Sequence, residues 1–402
     1  MSGEIAITGL GPLTPKAVGV AEVGARLGAA EPTWSRTSNP SARFIAEFGD
    51  DFVPDKYVDP MVTRRMDPGS VRAVIAAGLA LADAGLAARP RPDPATGVAM
   101  GTGYGCQTTS LRHATRLVEQ GPYFANPLDF PDSIDGAPAA HVAMHCGLGG
   151  PNVTCTDGEL AGEMALGAAM LTLEAGRAEA MVVVAGDALT ETVLGVLERC
   201  GALCSADAPR PPGPYDRARC GLVPAELSAA LVLEDRGRAE RRGARVYALV
   251  SGLGFASDPD AGRNDYPRHR ETHWQAMVQA LGRAGLGPDD VDLFSGAGTG
   301  LAELDSVELG AAEELRSHSE PAWLVGLRGL FGHCPSDGAL RVAAACLALR
   351  GEFVPPSLGL VTPEPATRLR WSARAARSRV RVVLHHAAAR GGRCASLVLR
   401  RP

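Results

Sequence analysis

Residues 152–176, NVTCTDGELAGEMALGAAMLTLEAG, carry the strongest chemical signal in the chain. The run reads as a strand over Val153 to Thr156, a sharp turn through Asp157, Gly158 and Glu159, and a long helix of small residues. A strand that breaks sharply into a helix presents one side chain at the helix N-terminus, where unpaired backbone N–H groups and the positive dipole end converge. A nucleophile suits that place, yet the residue presented is Glu159. A carboxylate there is either a favourable helix-start anion or an acid–base group.

Other side chains that could do chemistry are scattered. Nine cysteines include one short spacing, Cys200-x3-Cys204, and no second pair or His-x3-His completes a zinc set. An odd number without a framework suits reduced thiols, so a cytoplasmic location is expected. His141 and His145 can share a helix face but lack a third ligand. His385 and His386 are placed at a strand end, where adjacent residues point to opposite faces and an orienting hydrogen bond is the expected role. No metal and no cofactor are expected. The glycines of TGLGPLT lack the third glycine of a dinucleotide loop, and a strand-to-loop turn is the reading.

The elements that must position these groups are those of an α/β protein. Gly162, Ala165, Ala168 and Ala169 keep the helix after Glu159 thin, so it is expected to cross the middle of a domain with neighbours close on every side. Helices are expected over 67–84, 272–284, 304–315 and 338–349. Strands are expected at 5–9, 98–103, 180–186, 291–294, 323–326, 380–384 and 396–399. Two further strands, 227–234 and 246–254, read as a pair joined by the charged turn RGRAERRG. The continuous apolar run AMVVVAG is the pattern of a strand covered on both faces. The design restarts after residue 245, giving two halves, 1–245 with an inserted segment at 104–150 and 246–402, whose two sheets sandwich central helices. A net charge of -5 argues against nucleic acid as the main partner. No apolar run reaches membrane-spanning length, and MSGEIAITGLGPLTP lacks the basic and apolar regions of a secretory signal.

Motifs in order along the whole chain resemble the β-ketoacyl synthase family, which implies a thiolase-like five-layer αβαβα sandwich of two duplicated halves. IAITGLGPLTP is similar to the family's opening strand, and GPYDRARCGLVPAELSAALVLED to its mid-chain signature. AGTGLAELDSVE (297–308) resembles the His-Gly-Thr-Gly-Thr segment, GLRGLFGH (326–333) the Lys-Ser-x-x-Gly-His segment, and AAARGGRCASLVL the glycine loop and last strand.

The departures decide the expected function. With Gly162 fixing the register, the resemblance puts Glu159 at the nucleophilic cysteine and Ala297 at the first catalytic histidine. His333 is retained as the second, and Arg328 and Arg390 replace a lysine and a phenylalanine. No intact catalytic set remains; Thr299, Arg328 and Arg390 are pocket residues, and Glu159 is expected to pair with Arg390 or Arg328. Condensation needs a thiolate to take up the acyl group, and losing one oxyanion donor alone costs a factor of roughly 10²–10³. Cys155, upstream in the strand, reads as a small buried hydrophobe, and Cys334 should point away from His333. The resemblance therefore implies a chain length factor, the non-condensing subunit that heterodimerises with a type II polyketide ketosynthase and is served by a phosphopantetheine-bearing acyl carrier protein. It further implies that Val153 and Cys155 lie on the interface strand, and that Asp129, Phe130 and Ile134 shape the acyl tunnel. Two other readings stay open. One is a cysteine-less enzyme that decarboxylates malonyl-carrier protein or transfers acyl groups without a covalent intermediate. The other is a homodimeric carrier-protein or ligand-binding scaffold.

Overall fold

A computed structural model describes residues 4–86, 92–207, 209–316, 321–365 and 368–402. The first half contributes β1 (Ile5–Thr14), α1 (Gly19–Ala29), α2 (Pro68–Asp83), β2 (Thr96–Gly101), α3 (Gln107–Gln120), α4 (Ala137–Cys146), β3 (Asn152–Cys155), α5 (Ala161–Glu174), β4 (Ala180–Asp187), α6 (Glu191–Arg199) and β5 (Leu227–Asp235). Helix α7 (Arg236–Arg241) ends the first half, and the second contributes β6 (Ala248–Ser257), α8 (Arg270–Ala284), β7 (Leu293–Ser295), α9 (Ala302–Leu315), β8 (Ala322–Val325), α10 (Gly338–Gly351), β9 (Val382–Ala389) and β10 (Arg393–Arg400).

The two halves repeat one topology. In the first, the spatial order is β3-β2-β4-β5-β1; in the second it is β8-β7-β9-β10-β6. Numbered within each half, both orders are 3-2-4-5-1, with the fifth strand antiparallel to both its neighbours. Even the irregularities repeat. Register slips at Thr8, where β1 meets β5, and at Ser251, where β6 meets β10. Helices α2 and α8 cover the outer faces, while α5 and α10 lie between the sheets, which makes five layers, αβαβα. The all-buried pattern of β4 follows from that cover on both faces.

Several expectations are corrected. The two expected sheets are present and are joined edge to edge, because Ile5–Ile7 of β1 pair with Ala248–Val250 of β6. For the same reason 227–234 and 246–254 do not pair: β1 lies between β5 and β6. RGRAERRG is not a turn but contains α7, capped by Asp235, whose side chain accepts the Arg238 N–H at 3.0 Å. Arg238 and Arg242 then close on the buried Glu234 carboxylate, which a charged turn in solvent would not require. Gly9 and Gly11 sit inside β1 and make no turn. A Cβ on them would lie 2.2 Å from the Ala80 carbonyl oxygen and 2.0 Å from that of Ala76, so glycine lets α2 lie directly on the strand. Gly252 and Gly254 do the same for α8, with Cβ positions 2.1 and 2.2 Å from the Ala280 and Ala276 carbonyls.

The helix after Glu159 is central but not enclosed on every side. Its first turns are buried, and Gly162 meets Gly338 at the crossing with α10, where a Cβ would lie 3.0 Å from the Gly338 Cα. Along one side, however, Met164, Ala168 and Leu171 line an open groove of about 820 Å³ together with Cys155 and Phe255. No helix among the described residues is long and apolar enough to cross a membrane.

Candidate functional site

Glu159 lies in a 3₁₀ turn, Gly158–Leu160, that links β3 to α5. Gly158 makes the turn possible with φ +57°. Glu159 is 6% exposed. Its Oε1 accepts from Arg390 Nη1 at 2.6 Å and from the Tyr266 hydroxyl at 2.9 Å. The Arg390 guanidinium in turn lies over the Tyr266 ring, 5.0 Å from its centroid. Burial pushes the Tyr266 hydroxyl well above its ordinary range and the Glu159 charge adds to this, so it remains a donor. Of the two arginines expected to meet Glu159, Arg390 does so. Arg328 is taken by Asp337, with Nε to Oδ2 at 2.6 Å and Nη2 to Oδ1 at 3.0 Å. Nothing in the sequence marked Tyr266, which comes from the irregular segment 258–269.

The loop that carries Ala297 is held from below. Asp305 and Glu308 stand on α9 one turn apart and point at the loop's backbone. Glu308 accepts the Ala297 N–H at 2.6 Å and the Gly298 N–H at 3.1 Å. Asp305 accepts those of Thr299 at 2.7 Å and Gly300 at 3.0 Å. Gly298 and Gly300, with φ +41° and +86°, allow the chain to turn every N–H toward the carboxylates. The Thr299 hydroxyl donates to Asp305 as well and is therefore not free to serve a ligand as donor. Burial raises both carboxyls, and the backbone donors work against it.

His333 is fixed by its backbone, which donates to Val223 at 2.6 Å and accepts from Ala225 at 2.9 Å. Its ring is buried and Nδ1 has no partner. Burial, followed by the nearby Arg328 cation, holds its pKa well below the usual histidine value, so the ring is neutral. His333, Thr299 and Arg328 border a space of about 10 Å³, room for roughly one water. Cys334 turns away to Asp187, with Sγ 3.8 Å from Oδ2, and burial raises its thiol far above the range of a useful nucleophile. Cys155 is half-buried beside α5, and burial raises its thiol too.

Beneath the site is a charged group that sequence reasoning missed. Glu163 on α5 and Asp337 and Arg341 on or beside α10 join Arg328 in the central layer, all of them buried. Arg341 bridges the two acids, with Nε to Asp337 at 2.8 Å and Nη2 to Glu163 at 2.9 Å. Gly338 makes room, since a Cβ there would lie 2.6 Å from Glu163 Oε2. Two acids and two arginines leave no net charge. The signal that could have found them is a Glu and an Arg in the interior of two helices whose other interior residues are nearly all apolar.

His385 and His386 are corrected: they stand within β9, not at its end, and both are fully buried. They do face opposite ways. His385 Nε2 donates to Glu163 at 2.8 Å in the central layer, whereas His386 meets His273 at 2.9 Å and Ser396 at 2.7 Å under α8. His141 and His145 stack at 6.0 Å on α4, and His141 bonds Asp132.

Of the interface candidates, Val153 and Cys155 lie on β3, the edge strand of the sheet, whose outer edge has no partner among the described residues. Phe130 and Ile134 are exposed, while Asp129 points inward and holds Arg112 and Arg116 of α3 at 3.3 and 2.9 Å. Tyr123, Phe124 and Leu128 are exposed around them, an unusual density of bare apolar residues for a protein surface.

Comparison with known proteins agrees with this layout. Residues 2–239 match the family model for the N-terminal domain of β-ketoacyl synthases, and residues 247–361 match that for the C-terminal domain. A 3-oxoacyl-[acyl-carrier-protein] synthase 2 of Rhizobium meliloti (strain 1021) is 30% identical, over 99% of this chain and 99% of its own. A β-ketoacyl synthase of Streptomyces violaceoruber, named for the polyketide granaticin, is 31% identical over 100% of this chain and 99% of its own. Among solved structures, the ishigamide ketosynthase/chain length factor superposes with a TM-score of 0.88 at 24% identity, covering 100% of both chains, which shows the thiolase-like fold. The repeated 3-2-4-5-1 sheets, the elbow before α5 and the match along both domains lead to one conclusion: the chain belongs to the β-ketoacyl synthase family.

Proposed function

We propose that this chain is the non-condensing partner of an active ketosynthase, a chain length factor of type II polyketide biosynthesis. The observation that carries the reading is the 2.6 Å ion pair between Glu159 and Arg390, with Tyr266 bonded to the same oxygen. Where a condensing enzyme needs a thiolate and room for an acyl chain, this chain has a carboxylate neutralised by Arg390 and hydrogen-bonded by Tyr266. Ala297 offers no imidazole, and the space at His333 holds about one water. The edge of β3, unpaired among the described residues, and the bare apolar residues Phe130 and Ile134 support a large partner at that side. The partner is the ketosynthase subunit. The acyl carrier protein delivers its phosphopantetheine-bound chain to the active subunit, and this chain bounds the far end of the tunnel.

A cysteine-less decarboxylase is the second reading, and the neutral His333 ring with its unpartnered Nδ1 favours it. The other donor that reading needs, the Arg390 N–H, already faces Glu159 Oε2 at 3.4 Å. The two are separated by incubating the chain alone with acyl- and malonyl-carrier protein, then recording its intact mass and the carbon dioxide released. The expected result is neither an acyl adduct nor release above the carrier protein's own background. Release that disappears in His333→Ala would establish the second reading instead.

A further inference from the structure

Three side chains of the kinds that bind transition metals meet under α8. His386 stands on β9 directly opposite Ser396 of β10, and Cys394 lies two positions before Ser396. Alternate residues of a strand share a face, so His386, Cys394 and Ser396 all point to the side that α8 covers. His273 reaches them from near the start of α8. One ligating atom from each of His273, His386 and Cys394 lies within 4.8 Å of the other two. Both histidines are fully buried, and Cys394 is 1% exposed.

His273 Nδ1 is 2.9 Å from His386 Nε2, and the other nitrogen of His386 meets Ser396 Oγ at 2.7 Å. A metal-bound histidine is typically oriented by such a partner on its far nitrogen. Hydrogen bonds within the chain do not use up the cluster. Two facing ring nitrogens share a single N–H, and His273 Nε2 has no partner among the described residues. Ala276, Leu304 and Ala388 pack around Cys394 and exclude water.

The donor set is selective. Two imidazoles and a thiol suit zinc-type ions, whereas magnesium and calcium take oxygen ligands. Burial keeps both rings neutral, His273 at about 4 and His386 well below its usual value, so each has a lone pair to give. Burial, followed by the Glu308 and Asp258 carboxylates, pushes the Cys394 thiol far above its ordinary range. Those same negative charges favour a cation beside the sulfur.

We propose that His273, His386 and Cys394 hold one zinc-type divalent ion. Binding forms one metal–sulfur and two metal–nitrogen bonds and displaces the Cys394 proton to solvent, with one position left for a water. The ion ties α8 to β9 and β10. The segment that carries Tyr266 leads into α8, and Arg390 follows β9, so this clamp stands behind both partners of Glu159. No spacing in the sequence announced it, because the three donors come from three separate elements.

The test expresses the full chain, without an affinity tag, in zinc- and in cobalt-supplemented media and purifies it in metal-free buffer. Elemental analysis is expected to find one ion per chain, and the cobalt form to show a thiolate-to-cobalt charge-transfer band. Cys394→Ser should lose that band, and His386→Gln the ion. Ser396→Ala, which removes no ligand, should weaken zinc binding roughly 10–100-fold in competition with a chelator. His141→Gln, in the other histidine pair, should leave the metal content unchanged. X-ray absorption of the wild-type zinc form reads the donors without any variant, and one sulfur with imidazole nitrogens is expected. Wild-type chain that carries no ion from either medium overturns the proposal. So does a donor set without sulfur, or a charge-transfer band that persists in Cys394→Ser.

Discussion

Replacing Asp337 by alanine is expected to destabilise the fold by about 3–5 kcal/mol, the usual cost of breaking a buried ion pair from one side. Asp337 is 1% exposed and is the acid that Arg328 and Arg341 share. Without it Arg328 keeps only the Ala297 carbonyl, at 2.9 Å. Arg341 retains Glu163 and the carbonyls of Gly296 and His386. One buried guanidinium is thus left nearly uncompensated. The Asp337→Asn variant preserves the volume and should still lose much of the stability, which separates charge from packing. Arg328→Met should be milder, because Asp337 then still has Arg341. Urea unfolding of the three variants checks the ranking. An Asp337→Ala variant as stable as the parent would mean that these groups are not paired in the protein.

Acid is expected to unfold the protein earlier than its surface charges alone would suggest. Four buried histidines, His273, His333, His385 and His386, are held neutral. Burial is the main cause for each; it takes His273 to about 4. For His385 the Arg341 cation adds to burial and outweighs the Glu163 hydrogen bond. In the unfolded chain these rings titrate near the ordinary value of about 6.5. Below that pH the unfolded state binds more protons than the folded one, so stability falls as pH falls. Each ring costs up to about 1.4 kcal/mol per pH unit once the unfolded ring is fully protonated; between pH 6.5 and 5.5, where it goes from about half to nine-tenths protonated, the four together cost at most about 4 kcal/mol. Asp187, Asp305 and Glu308, raised by burial, act in the opposite sense and flatten the slope at lower pH. Unfolding free energy measured from pH 7.5 to 5 checks this. His273→Gln should remove about one proton from the slope, and a flat profile would contradict the account.

Much of this molecule was legible in its sequence because the responsible interactions are local. The elbow at Gly158 and Glu159, the apolar strand β4 and the thin helix α5 each follow from a few adjacent residues. The Glu159–Arg390 contact could be posed as one of two pairings because motif order placed both arginines near the elbow. The insertion of β1 between β5 and β6 could not be read, since it joins residues more than two hundred positions apart. A strand at the start of the chain gives no sign of which two later strands will flank it. Gly9 and Gly11 looked like a turn because glycine serves both turns and close approach, and only the position of α2 tells them apart. Tyr266 lies in a loop with no periodicity. The Glu163–Arg341 pair was visible as two charges out of place in apolar helices, but its geometry depends on how α5 crosses α10.

The proposed role as a non-condensing partner makes one demand on the protein in solution. Its stable and active form should contain a second, different subunit that supplies the nucleophile. Co-expression with a candidate ketosynthase and an acyl carrier protein, followed by native mass measurement of the purified complex, tests this most directly. The account predicts a one-to-one heterodimer in which the acyl adduct appears only on the ketosynthase subunit. A homodimer of this chain that condenses malonyl units unaided would contradict it.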